Sequence, residues 1–442
     1  MVSRTVLMAL LFAFAISGYP LLAAVVTLAG EPDTRLPSIL LRVGVALLGV
    51  WVLIANRRSL RMHSLPFTAA MIVFWSMYLF RVVNDAYLEQ ASLPFDPMAL
   101  LGMSLLFVLM PTIPVLVGLN PTSTRQAFKA LTIVTAIAVV LILIQSADLA
   151  SQLRDEGATR LELGRLNPIS VGNLGGTLLL LCAVGLFRSL GRLGPVSAGL
   201  YGLGVIAGAF TMMIAAARGP VVAALLALLV YSMIPIRLGR LLITGAVGLG
   251  LAVFVSQSQR FIQAEFEFDL FKRFRDAIEG YSGSAASREA SFAGAFEQFL
   301  DNPLFGDSIV EKSTQFYPHN SILEALMATG LVGGIAYFVC LALTGIAIIR
   351  LLIRQDGYEW LAVLAVYSTV AMQFSGAHFG AGVHWMTMLA VVVTELKMRP
   401  FAEADQRRRM RAAVQAQDTG PATPRSLVEK QLMTADKPAP TE

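Results

Sequence analysis

The feature that most constrains this chain is a succession of long, continuous apolar runs separated by short polar breaks. The first extends from Thr5 to Ala29, and others follow near 37–55, 66–84, 98–119, 129–148, 168–187, 195–217, 219–236, 239–257, 321–349, 359–377 and 380–397. A helix needs roughly 20 apolar residues to cross a bilayer. Lipid offers no partner for backbone polar groups, so only helices and closed barrels span it. Barrel strands are short and alternate in polarity, whereas these runs are unbroken. The expected fold class is therefore all-α, a polytopic transmembrane bundle of about 12 spans. Composition agrees: 14% of residues are charged, against roughly 25% in soluble domains.

Charge then sets an expected orientation. Arg57, Arg58 and Arg61, Arg125 and Lys129, Arg188 and Arg192, Arg237 and Arg240, Arg350 and Arg354, and Lys397 and Arg399 fall in alternate loops. The intervening side begins with Glu31 and Asp33, then Asp85, Glu89 and Asp96. Basic loops stay in the cytoplasm, which puts both termini there. The formal charge of +5 is accounted for by these loops, so no nucleic-acid partner is expected. The first run is long for a signal sequence and reads as a retained helix. Cys182 and Cys340 lie inside apolar runs and read as packing residues.

Two polar segments stand out. Residues 258–320 form a long extracytoplasmic loop, and 398–442 form a tail too poor in large apolar groups to fold alone. The expected organisation is thus a membrane domain over 1–397 and a disordered cytoplasmic tail over 398–442, with Arg407, Arg408, Arg409 and Arg411 suited to anionic lipid. In the loop, Phe261, Phe268, Phe271 and Phe274 recur at helical spacing among basic residues, which suits an interfacial helix. A second helix carries Phe292, Phe296, Phe299 and Leu300 on one face and ends at Asn302-Pro303.

The candidate chemistry is on the outer side. Arg218 sits in a tight Arg-Gly-Pro connection between two apolar runs. It is either an anion ligand or an arginine snorkelling to headgroups, and spacing leaves both open. His319 and Asn320 open the tenth span. Asn320 or Ser321 can cap the helix, and His319 can accept a proton near neutral pH. Glu324, one turn on, could orient that ring or pair with an arginine. Arg288 starts the second loop helix, and Arg154, Arg160 and Arg165 lie in another outer loop. This outer arginine excess asks for an anionic partner, and a planar guanidinium suits phosphate. No glycine-rich phosphate loop with a following lysine, no Asp-x-Asp pair and no zinc-type histidine spacing occurs. No metal and no cofactor is therefore expected. His378 and His384, near the last outer turn, face either the site or the interface, and the interface is the expected reading.

These stretches resemble the bacterial O-antigen ligase and polymerase superfamily. The resemblance rests on Ala217-Arg218-Gly219, on Ser287-Arg288-Glu289 running to Asn302-Pro303-Leu304-Phe305-Gly306, and on His319-Asn320-Ser321 continuing to Gly330-Leu331-Val332-Gly333. It covers mainly 200–350, with Gly164-Arg165-Leu166-Asn167-Pro168 as a weaker upstream feature. The chain departs from the family's Gly-x-Gly at Gly306-Asp307-Ser308. The resemblance implies metal-independent, inverting transfer of a glycan from undecaprenyl diphosphate at the outer face of a bacterial inner membrane. The acceptor would be a hydroxyl of lipid A–core or of a second lipid-linked glycan, giving a ligase or a polymerase. It also implies that Arg218 and Arg288 bind the diphosphate and that His319 is the base; Arg160, Arg165, Asn320 and Glu324 are further candidates for substrate binding. A transporter or flippase is the alternative of another class. It would place polar groups and broken helices at mid-membrane, whereas the chemistry here clusters in an outer loop.

Overall fold

The computed structural model describes residues 3–30, 35–57, 65–88, 93, 95–156, 166–189, 194–215, 217–241, 244–245, 248 and 283–399. Everything below concerns the unit Met1–Leu396; Lys397–Glu442 is a separate unit. The tail and the first loop helix with its four phenylalanines lie outside the described residues, as does most of the run at 239–257.

We number the helices α1 (Arg4–Leu28), α2 (Arg35–Ala55), α3 (Leu65–Val83), α4 (Pro97–Gly118), α5 (Pro121–Glu156), α6 (Pro168–Ser189), α7 (Pro195–Ile214), α8 (Arg218–Met233), α9 (Gly283–Asp301), α10 (Ser321–Arg354) and α11 (Glu359–Ala371). A last helix, α12, covers 382–396. Eight helices among the described residues are long and apolar enough to cross a membrane, with α8 and α11 as shorter apolar helices. The protein is an all-α, multi-pass membrane protein. Pro20 lies inside α1, which is one helix through it.

Local chemistry explains where several spans begin. Three open with an Asp-Pro or Asn-Pro pair: Asp96-Pro97, Asn120-Pro121 and Asn167-Pro168. Each acidic or amide side chain accepts from the first exposed backbone N–H groups, at 2.9 Å from Met98, 3.0 Å from Thr122 and 2.8 Å from Ser170. The proline fills the next position, where its missing N–H costs nothing.

α1 packs along α5, α6 along α7, α3 along α10, and α8 along α11. α6 and α7 approach closely through Gly175 and Gly208, where an added Cβ on either would strike the other helix's backbone. The far end of α10 is tied to α12 by Glu395, which is 3.2 Å from Arg354 and 3.6 Å from Arg350. Cys182 and Cys340 are buried and free, as expected of packing residues.

The second loop helix forms as expected and ends at Asp301. Ser291, Ala295 and Gln298 are buried, while Phe296 and Leu300 are exposed. Gln298 is the reason: it bonds to Asp307, to the Val310 carbonyl and to the Lys312 N–H at 3.0, 3.2 and 2.7 Å. The polar face satisfies the following loop, and the aromatic face is left for an apolar medium.

Candidate active site

α10 contains a break that organises the site. Gly330 has φ 60° and ψ −157°, so the helical hydrogen bonds across it are lost. Four of the backbone groups beside the break bond to the 303–307 loop and to Arg81. The N–H groups of Leu331 and Val332 donate to the carbonyls of Pro303 and Leu304 at 2.7 and 3.2 Å. The carbonyl of Met327 accepts from the Asp307 N–H at 2.8 Å. The carbonyl of Ala328 accepts from Arg81 Nε at 3.2 Å. A buried backbone group left alone would cost about as much as a lost hydrogen bond, so break and loop specify each other. Gly306, at φ 73°, lies against Ala328 and Thr329, where a Cβ would collide with backbone. The Asn302-to-Gly306 series is therefore a structural clip on the broken helix.

Arg81 locks this clip from α3. Beyond Ala328, its guanidinium donates to the carbonyls of Phe305 and Gly306 at 3.1 and 2.7 Å and sits 3.8 Å from Asp85. Asp85 accepts from the Ser308 hydroxyl at 2.9 Å and the Ile309 N–H at 2.8 Å. Both side chains are buried.

The chain then makes a compact turn around Glu311. Its carboxylate accepts from the N–H and hydroxyl of Ser313 and of Thr314 at 2.6–2.8 Å. Burial acts to raise this carboxyl, but the Thr314 and Ser313 bonds outweigh it and hold the pKa below the ordinary value. The turn delivers Phe316, Tyr317 and His319.

His319 has φ 56°, a left-handed conformation that costs a non-glycine residue energy. Asn320 immediately afterwards caps α10, accepting from the N–H groups of Ile322 and Leu323 at 3.0 Å. The cap thus falls to Asn320, and His319 is left for something else. The Tyr317 ring packs edge-on against the imidazole with centroids 4.5 Å apart, and Phe316 lies at 5.4 Å. Nδ1 is shut from solvent with no hydrogen-bond partner among the described residues. Burial, and then the positive charge of Arg288 on α9, push the His319 pKa down to about 4. The ring is neutral at physiological pH. Burial likewise pushes Tyr317 up to about 12, with the Glu324 charge adding to it.

Of the residues singled out from sequence, Arg288 and His319 are brought together. Arg288 and Arg218 are both half-buried, the latter opening α8. Phe374 touches the backbone beside Arg218, since a Cβ on Gly219 would lie 3.0 Å from it. Arg160 and Arg165 lie outside the described residues. Glu324 does not do what the sequence suggested. It is fully buried and bonds to the Tyr78 hydroxyl at 2.6 Å and to the His378 N–H at 3.0 and 3.1 Å. It braces α10 against α3 and the last outer turn instead of touching the His319 ring. His378 and His384 are buried rather than interfacial. His378 Nε2 is 2.9 Å from the Ser321 carbonyl, and His384 Nε2 is 3.0 Å from the Tyr337 hydroxyl. Each finds a polar partner inside the bundle, which is what permits its burial.

Residues 203–338 match the family described as O-antigen ligase. The likeness to that family is confined to this stretch, about a third of the chain. No curated protein and no solved structure matches the chain. The matched stretch contains Arg218, Arg288, the clip, His319 and the break at Gly330. Arg81, Asp85, Tyr78 and His378, which hold that stretch in place, lie outside it. Arg81 carried a signal in the sequence, because a lone arginine in an apolar run needs a partner. Tyr78 carried none.

Proposed function

We propose that this protein transfers a glycan from a polyprenyl diphosphate carrier to an acceptor hydroxyl, as an O-antigen ligase, at the outer face of the inner membrane. The observation that carries this reading is the neutral, unpartnered His319 held beside Arg288 in the O-antigen ligase stretch. The acceptor O–H gives its proton to His319 as its oxygen bonds to the anomeric carbon. The bond from that carbon to the carrier phosphate breaks, and its electron pair leaves with the diphosphate. Attack from the face opposite the leaving group inverts the anomeric centre. Arg218 and Arg288 bind the diphosphate and stabilise the charge that grows on it; such fixed charges are often the largest catalytic term. General-base help adds about 10²–10⁴-fold.

The geometry also supports a change in the base on donor binding. With the site empty, Arg288 helps hold His319 at a low pKa. An anion on Arg288 offsets that charge, so the histidine becomes a stronger base when the donor is present. The membrane orientation, both termini cytoplasmic, is part of the same proposal. Reconstituted protein supplied with a polyprenyl-diphosphate glycan and lipid A–core should form the glycosylated core lipid and release the carrier diphosphate. Elongation of the lipid-linked glycan with the core lipid left unmodified would make it a polymerase. Movement of the donor across sealed vesicles with no bond cleaved would contradict glycosyl transfer.

A further inference from the structure

A cavity of about 440 Å³ runs between α1, α2, α4, α6 and the turn 375–384, and Tyr317 forms part of its wall. Tyr317 is the ring that packs on His319, so a single ring separates the cavity from the candidate base. Arg42, about two turns into α2, lines it as well. An arginine that deep in an apolar helix is costly unless something answers its charge. Snorkelling would carry the guanidinium away to the headgroups. Here it is held instead over the rings of Phe107 and Tyr19, 3.8 and 4.7 Å from their centroids. Stacking satisfies the faces of a guanidinium and leaves the N–H groups at its edge. None of these makes a hydrogen bond or ion pair among the described residues, and no Asp or Glu lines the cavity among them. The wall near Arg42 offers Leu41, Val45 and Leu106, while Asn173 and Ser170 supply polar groups further along.

We propose that this cavity is a lipid-phosphate site, in which Arg42 takes the phosphate bidentately and the apolar wall takes the chain. The inference rests on the glycosyl-transfer reading only for which lipid it serves. A planar fork with free edge donors matches a tetrahedral oxyanion, and a low-dielectric cavity strengthens the pairing. The phosphate could belong to a polyprenyl carrier or to a bulk glycerophospholipid, and the shared chemistry is a phosphate on a lipid chain. Because Tyr317 lines the cavity, a polyprenyl phosphate held there would lie one ring away from His319.

The test uses the full chain in phosphatidylcholine nanodiscs, with bound lipid counted by native mass spectrometry. The probes are a polyprenyl phosphate, phosphatidylglycerol, and the polyprenyl alcohol that lacks the phosphate. Wild type should hold one phosphorylated lipid more tightly than the alcohol. Arg42→Gln should weaken phosphate-lipid binding at least about tenfold, the loss expected for a bidentate charge pair, and leave the alcohol unchanged. Arg42→Lys should retain part of it. Phe107→Leu, which keeps the charge and loses the ring, should weaken it less than Arg42→Gln. Preference for the polyprenyl phosphate identifies a carrier site, and equal displacement by phosphatidylglycerol identifies a bulk-lipid site; both support the proposal. Phosphate-lipid binding indifferent to both Arg42→Gln and Arg42→Lys overturns it. His319→Ala should keep this binding whatever it does to transfer, so the two readings fail separately.

Discussion

Replacing Arg81 with methionine tests whether the loop carrying His319 is positioned from α3. The substitution keeps chain length and apolar bulk but removes three hydrogen bonds, to the carbonyls of Ala328, Phe305 and Gly306, and the charge facing Asp85. A hydrogen bond to a charged group contributes about 1.5–3 kcal/mol net. Removing one partner of a buried ion pair costs about 3–5 kcal/mol. These terms describe the same contacts and do not add, so the expected loss is about 3–5 kcal/mol. Reversible unfolding in mixed detergent and SDS micelles measures it. A cycle with Asp85→Asn sharpens the result: the pair shares the 302–309 clip, so the double variant should fall short of the summed single losses by about 1 kcal/mol. Limited proteolysis of detergent-solubilised protein should cut Arg81→Met faster within 302–317. A loss below about 1 kcal/mol, with unchanged proteolysis, would refute the claim that Arg81 fastens the clip to the broken helix.

Further outcomes follow from the same geometry. Gly330→Ala and Gly306→Ala place a Cβ into facing backbone at positive φ, so each should destabilise by more than about 1 kcal/mol in the same unfolding assay, whereas Gly345→Ala, with open space at its Cβ, should not. The His319 pKa of about 4 means that kcat/KM should keep its base unprotonated well below the ordinary histidine range, with the acid limb near 4. Arg288→Gln should move that limb upward, since it removes one of the two causes of the depression. The lowered Glu311 carboxyl stabilises the fold above the ordinary carboxylate range and loses that contribution as pH falls through its folded pKa; Glu311→Gln should lower stability at neutral pH and flatten its acid dependence between those limits.

The spans and the residues beside His319 were legible because local rules govern them. Apolar runs of bilayer length have one helical solution, and Asn320 reads as a cap from its place before an apolar run. The same logic placed the helix ending at Asp301. Phenylalanine spacing marks an apolar face on that helix without saying whether protein or lipid covers it. Glu324 was misread. Its partner Tyr78 is 246 residues away in the chain, and no periodicity reports a contact of that span. The clip was visible as a motif, but its role was not. That role needs the broken helix at Gly330, whose released N–H and carbonyl groups are what the Asn302-to-Gly306 series satisfies. Arg42 escaped notice altogether, since its rings and its cavity come from separate helices.

The most direct test of the account is the envelope glycan profile of a strain whose own copy is replaced by His319→Ala, with membrane insertion and expression verified by immunoblot. The account predicts that transfer is lost: lipid A–core carries no added glycan while the lipid-linked donor accumulates. A normal glycan ladder from a well-expressed His319→Ala protein would contradict His319 as the base.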